Sequence, residues 1–169
     1  NGSAVPGLGD VGPIVAKPML EGAAVLFKRL ADLDGFDLEL DTRDPDRFVE
    51  DVVGRFGTLE LKQRIVWIAD CLTRSLPGDY RQVVRTLLQS LPEPCDPTRT
   101  DGDFGDFIYA PYANLVARHG CTADDLAFSL DALHQITTRF SAEDAIRPFL
   151  RAFPDETIDT VAAWVHDPH

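Results

Sequence analysis

"LELKQRIVWIADCLTRSLPGDYRQVVRTLLQSL", residues 59–91, decides the fold class. Leu61, Ile65, Ile68 and Leu72 recur at three- and four-residue intervals, the spacing of one face of a helix. Thr58 ahead of them is a residue type that caps helix N-termini. Pro77-Gly78 breaks the pattern, and Asp79 is placed to cap a second helix. Val83, Val84, Leu87, Leu88 and Leu91 then repeat the helical spacing. The stretch predicts two amphipathic helices joined by a short turn, each needing a neighbour to cover its apolar face.

The same signals recur on both sides. Asp44-Pro45 reads as an N-cap with proline in the first helical position. Phe48, Val49, Val52, Val53 and Phe56 come after it, and Gly57 is placed to stop that helix. Residues 18–33 read as an earlier helix, and residues 35–43 as an incidental hairpin at most. Residues 92–105 are a loop by composition. A helix resumes near Pro111 and ends at Gly120, with Tyr109 and Tyr112 packing beside the loop and His119 favoured by the helix dipole. Thr122 with Asp125 and Ser141 with Asp144 resemble capping boxes, with Asp in place of Glu or Gln. Asp155 is expected to cap the last helix. His134 reads as helix packing, and Trp164 as a cover for a succeeding repeat.

The capped starts at 44, 79 and 122 lie 35 and 43 residues apart, and each interval holds about two helices. That period predicts an all-α fold of seven or eight helices in stacked antiparallel pairs, a HEAT-like α-solenoid. An irregular helical bundle stays open beside it. Residues 1–17 read as a flexible lead-in, and 18–169 as a single helical domain.

Composition narrows the partners. The chain has 169 residues, 44% of them hydrophobic, so it can bury a core. No apolar run reaches the roughly 20 residues of a membrane span, so no membrane partner is expected. No signal peptide is in view. The odd count of three cysteines without CxxC spacing argues against disulfides and fits a cytoplasmic location. The four histidines show neither HxH nor HExxH spacing, so no metal site is expected. The net charge of −12 opposes nucleic acid at long range. Residues 52–85 are the exception, with six basic and three acidic side chains. They form either a basic binding face or an ordinary solvated helix surface.

"TTRFSAEDAIRPFL", residues 137–150, carries Pro148 inside its helical pattern. Proline there removes a hydrogen bond and predicts an end or a kink. A bend would re-aim Glu143 and Arg147. Glu143 is otherwise a first-turn acid, and Arg147 an intramolecular clamp on a neighbouring helix. Trp67, beside Arg64 and Arg74 on the helical net, either stacks on a base or packs under a neighbouring helix.

Residues 59–87, 112–137 and 139–168, in this order, resemble the HEAT-like repeat DNA glycosylases of alkylation repair, in particular the AlkC branch. The most specific pieces are "ELKQR", "LPGDYR" and "RFSAEDAIRPF". The resemblance implies hydrolysis of the N-glycosidic bond of 3-methyladenine or 7-methylguanine in duplex DNA, without a metal or other cofactor. It implies Glu143 as the catalytic carboxylate. It implies DNA contacts from Arg64, Trp67, Arg74, Arg81, Arg139 and Arg147. Relative to that family the chain is expected to be incomplete at its C-terminus. A non-catalytic HEAT-like module with a protein partner is the alternative.

Overall fold

The computed structural model describes residues 21–26, 28–30, 32, 45–96 and 107–166. Among them every regular element is helical, so the all-α expectation holds. The hairpin expected at 35–43 lies outside the described residues. The α-helices are α1 (residues 21–26 and 28–30), α2 (Pro45–Phe56), α3 (Leu61–Ser75), α4 (Tyr80–Gln89), α5 (Ala110–His119), α6 (Leu126–Thr137), α7 (Glu143–Ala152) and α8 (Pro154–Trp164). A 3-10 turn, Phe107–Tyr109, leads into α5. The chain divides into two compact units, Asn1–Leu76 and Pro77–His169.

In the first unit, α1 buries Ala23, Leu26 and Leu30. α2 packs on α3 and buries Phe48, Val52 and Phe56, spaced four residues apart along one face. The buried face of α3 is rotated from the expected stripe. Arg64, Ile68, Ala69, Cys71 and Leu72 are inside, while Leu61 stands exposed at the first turn. The α3 cap also differs from expectation. Glu60 accepts from the Gln63 backbone while the Gln63 side chain takes the Glu60 N–H at 2.9 Å, a full capping box. Thr58 instead donates to the Arg55 carbonyl and closes the end of α2.

In the second unit, α5 packs against α4, α6 and α7 and buries seven of its ten residues, including Tyr112, Leu115 and Val116. Such all-round burial suits a helix with no polar face to spare. Asp79 caps α4 as expected, in a capping box with Gln82. The caps of α6 and α7 fall later than expected, at Asp125 and Ala142. The Thr122 hydroxyl accepts from the Asp125 N–H and donates to the Asp125 carboxylate, which also pairs with Arg81. Asp144 pairs with Arg147. α8 begins two residues earlier than expected, with Phe153 and not Asp155 at its cap and Pro154 in its first turn. Trp164 does not wait for a further repeat. It stacks on His134 of α6, with ring centroids 4.9 Å apart and 7° between planes. Pro148 lies inside α7, which continues through it to Ala152.

Gly120 ends α5 where Tyr80 and Ser129 meet. The Ser129 hydroxyl donates to the Gly120 carbonyl at 2.9 Å, so the Tyr80 hydroxyl, 2.7 Å away, donates to Ser129. Burial pushes the Tyr80 phenol up to about 12. Its neutral form is therefore favoured in the folded state. That stability is complete below the ordinary tyrosine range near pH 10 and is lost as pH rises toward 12. We expect denaturant midpoints to fall across this window, and Tyr80→Phe to flatten the fall. An unchanged slope in the Phe variant would show that Tyr80 is not the group responsible.

Candidate functional site

The residues expected to touch DNA are each held by the protein itself. Arg64 is 3% exposed. It lies inside because its position on α3 faces α2, where its guanidinium covers the Phe56 ring at 4.8 Å. Its Nε donates to the Phe56 carbonyl. It does not share an open face with Arg74 and Arg81. Trp67 is half-buried, and its Nε1 donates to the Val52 carbonyl at 3.1 Å. Arg55 and Arg74 both lie against its ring, at 4.6 and 4.7 Å from the centroid. This is the packing alternative for Trp67, not base stacking.

In the second unit Arg81 pairs with Asp125 at 2.6 Å and with the Asp124 carbonyl. Arg139 ties the segment after α4 to the end of α6, through the Pro92 and Gln135 carbonyls. Arg147 pairs with Glu143 at 2.6 Å and with Asp144 at 3.1 Å. Both acids are mostly exposed, one turn from Arg147 on the same helix, so in these pairs Arg147 holds its own helix and not the neighbouring one expected of a clamp.

Among the described residues an open groove lies at the turn from α2 to α3. It has a volume of about 340 Å3 and is lined by Arg55, Leu59, Lys62, Val66, Trp67 and Asp70, with Gln63 at its side. Gly57 and Thr58 turn the chain between the two helices, which sets the last turn of α2 beside the first two turns of α3. Beside the groove, Arg74 donates to the Cys71 sulfur at 3.2 Å. Burial pushes the Cys71 thiol up, with Arg74 opposing it only in part, so the residue is not an activated nucleophile. Among the described residues no cluster of His, Cys, Asp and Glu could hold a metal ion. No described helix is long and apolar enough to cross a membrane.

Comparison with known proteins points to a different class. A family model described as the malic enzyme N-terminal domain matches residues 1–57. The NADP-dependent malic enzyme of Escherichia coli strain K12 is 48% identical over 65 residues, 37% of this chain and 9% of that protein. That of Rhizobium meliloti is 57% identical over 49 residues, 29% of this chain and 6% of that protein. The NAD-dependent malic enzyme of Geobacillus stearothermophilus is 43% identical over 65 residues, 37% of this chain and 14% of that protein. The chain thus spans a small part of the length of the relatives it matches. No solved structure matches.

These matches overturn the alkylation-repair reading. The similarity is to malic enzymes, not to DNA glycosylases, and metabolic enzymes of that kind give no reason to expect a DNA partner. Base excision and the roles given to Glu143 and the arginines fall with it. The match covers the segment read as a lead-in, residues 1–17, and runs on to the end of α2. A signal was present there: Gly7-Leu8-Gly9-Asp10-Val11-Gly12 has G-x-G-x-x-G spacing. Alone it is weak, because its meaning depends on a preceding strand and a following helix, and these positions lie outside the described residues.

Proposed function

We propose that residues 1–57 serve as part of a malic enzyme N-terminal domain, and that the protein acts in the oxidative decarboxylation of malate. The observation that supports this is the match of the family model to those residues. Identity of 48% across 65 residues to an NADP-dependent malic enzyme agrees with it. A cytoplasmic location belongs to the same proposal.

The nicotinamide dinucleotide in the relatives' names calls for a strand, a Gly-rich turn and a helix whose N-terminus faces the pyrophosphate. The described elements are all helices, so a unit of that kind is not among them. What they supply is a helical frame after the matched segment. α2 lies wholly inside the match, and its Phe48, Val52 and Phe56 anchor that part of the segment to α3.

The test follows reduced nicotinamide by absorbance with malate and either dinucleotide, beside calorimetric titration with malate alone. The expected result is saturable malate binding together with malate-dependent reduction of the dinucleotide. A protein that neither binds malate nor reduces the dinucleotide would overturn the proposal.

A further inference from the structure

The groove between α2 and α3 has the makings of a ligand site that malate chemistry does not account for. Its walls divide by chemistry. Leu59, Val66 and the edge of Trp67 are apolar, while Arg55 and Lys62 bring two positive charges and Asp70 one negative. Arg74, on the Trp67 ring, adds a third cation beside it. In a protein of net charge −12 this is a local reversal of sign.

Arg55 is held in an unusual way. Its contact is with the Trp67 ring, and a guanidinium held by an aromatic ring keeps hydrogen-bonding capacity for an anion. Trp67 in turn is fixed by its bond to the Val52 carbonyl. The cation is therefore set in place before any ligand arrives, which lowers the entropy cost of binding. Because both guanidiniums lie against the Trp67 ring, a flat ligand does not gain its affinity by stacking there. The volume is at the lower end of the range for ligand pockets.

We propose that this groove binds a small organic carboxylate with an apolar body. The carboxylate sits on Arg55, with the charge of Lys62 on the same wall, and the body lies against Leu59, Val66 and Trp67. Bidentate pairing with Arg55 supplies the orientation. An open, hydrated site of this kind gives a Kd on the order of 1 mM.

The probe is phenylacetate, read by the fluorescence of Trp67 in a Trp164→Phe background, since the chain has two tryptophans. The comparison arms are acetate, which lacks the body, and 2-phenylethanol, which lacks the charge. Phenylacetate is expected to give a saturable change that weakens as salt is raised. Arg55→Gln is expected to weaken it at least fivefold, with the circular dichroism unchanged. Should Arg55→Gln fail to fold, Lys62→Gln takes its place, with at least a twofold loss expected. Equal binding of 2-phenylethanol would reduce the groove to an apolar dent. Equal binding of acetate would reduce it to surface charge. Either result, an unaffected Arg55→Gln or no saturable change overturns the site. The readout is Trp67 itself, so a protein that turns over malate but ignores phenylacetate refutes this site alone.

Discussion

Gly120→Ala is expected to destabilise the protein by about 3 kcal/mol or more. A Cβ at Gly120 would collide with the Tyr80 hydroxyl, with its ring carbon Cζ and with the Ser129 hydroxyl. None of the three can move cheaply. The Tyr80 ring is braced edge-on by Phe128, with centroids 5.9 Å apart and 81° between planes. Ser129 is fully buried and tied to the Gly120 carbonyl. Moving either group breaks the chain of hydrogen bonds from Tyr80 to Ser129 to Gly120, which connects α4, α6 and the end of α5. A buried hydroxyl left without its partner adds about 1–3 kcal/mol to the steric cost. Gly120 itself has φ −107, so the backbone tolerates alanine and the effect is one of space alone. Thermal melts should therefore show a fall of at least about 10 °C. Tyr80→Phe in the same chain removes one of the clashing atoms, so the double variant should be more stable than the sum of the two changes. A Gly120→Ala protein melting within a degree or two of the parent would show that α4 and α6 yield easily, contrary to the packing described.

The helices were legible in the sequence because their signals are local. Asp79 at the start of α4 and Gly57 at the end of α2 each act within one turn. The side of the helix that faces inward was less legible. Leu61 fits the apolar stripe of α3 but sits at its first position, ahead of the part α2 covers. Arg64 breaks the stripe but lies over Phe56, a ring that the sequence does not place in contact with it. The motifs that carried the repair resemblance illustrate the same limit. In "ELKQR", Gln63 completes the cap of Glu60 and Arg64 fills the core. In "LPGDYR", Asp79 caps α4, Tyr80 bonds Ser129 and Arg81 reaches Asp125. In "RFSAEDAIRPF", Arg147 takes up both Glu143 and Asp144. Each piece has structural work within the helical units that needs no DNA. The segment that does match known enzymes, residues 1–57, opens with a Gly-rich stretch that lacks helical periodicity, so the pattern that finds helices is silent there.

Arg64→Met is expected to leave the protein as stable as the parent or to raise its stability by about 1–3 kcal/mol, an unusual sign for a core substitution. Arg64 is 3% exposed, and its Nη2 has no hydrogen-bond partner. A buried guanidinium with an unmet donor loses the hydration it had in the unfolded chain and recovers only part of it. Its recoveries are small: a 3.3 Å bond from Nε to the Phe56 carbonyl and the Phe56 ring beneath it. Removing the bond does not orphan that carbonyl, because the Leu59 N–H also donates to it at 3.3 Å. Methionine is close to arginine in length, forms helices about as well and fills irregular space. It keeps contact with Phe56 through sulfur in place of the cation. Arg64→Ala is the control for packing, since it removes the charge and the volume together, and it should be less stable than Arg64→Met. Urea unfolding of the three proteins decides the matter. A loss of more than about 1 kcal/mol in Arg64→Met would mean that the guanidinium is fully satisfied in solution and that its charge contributes to the α2–α3 contact.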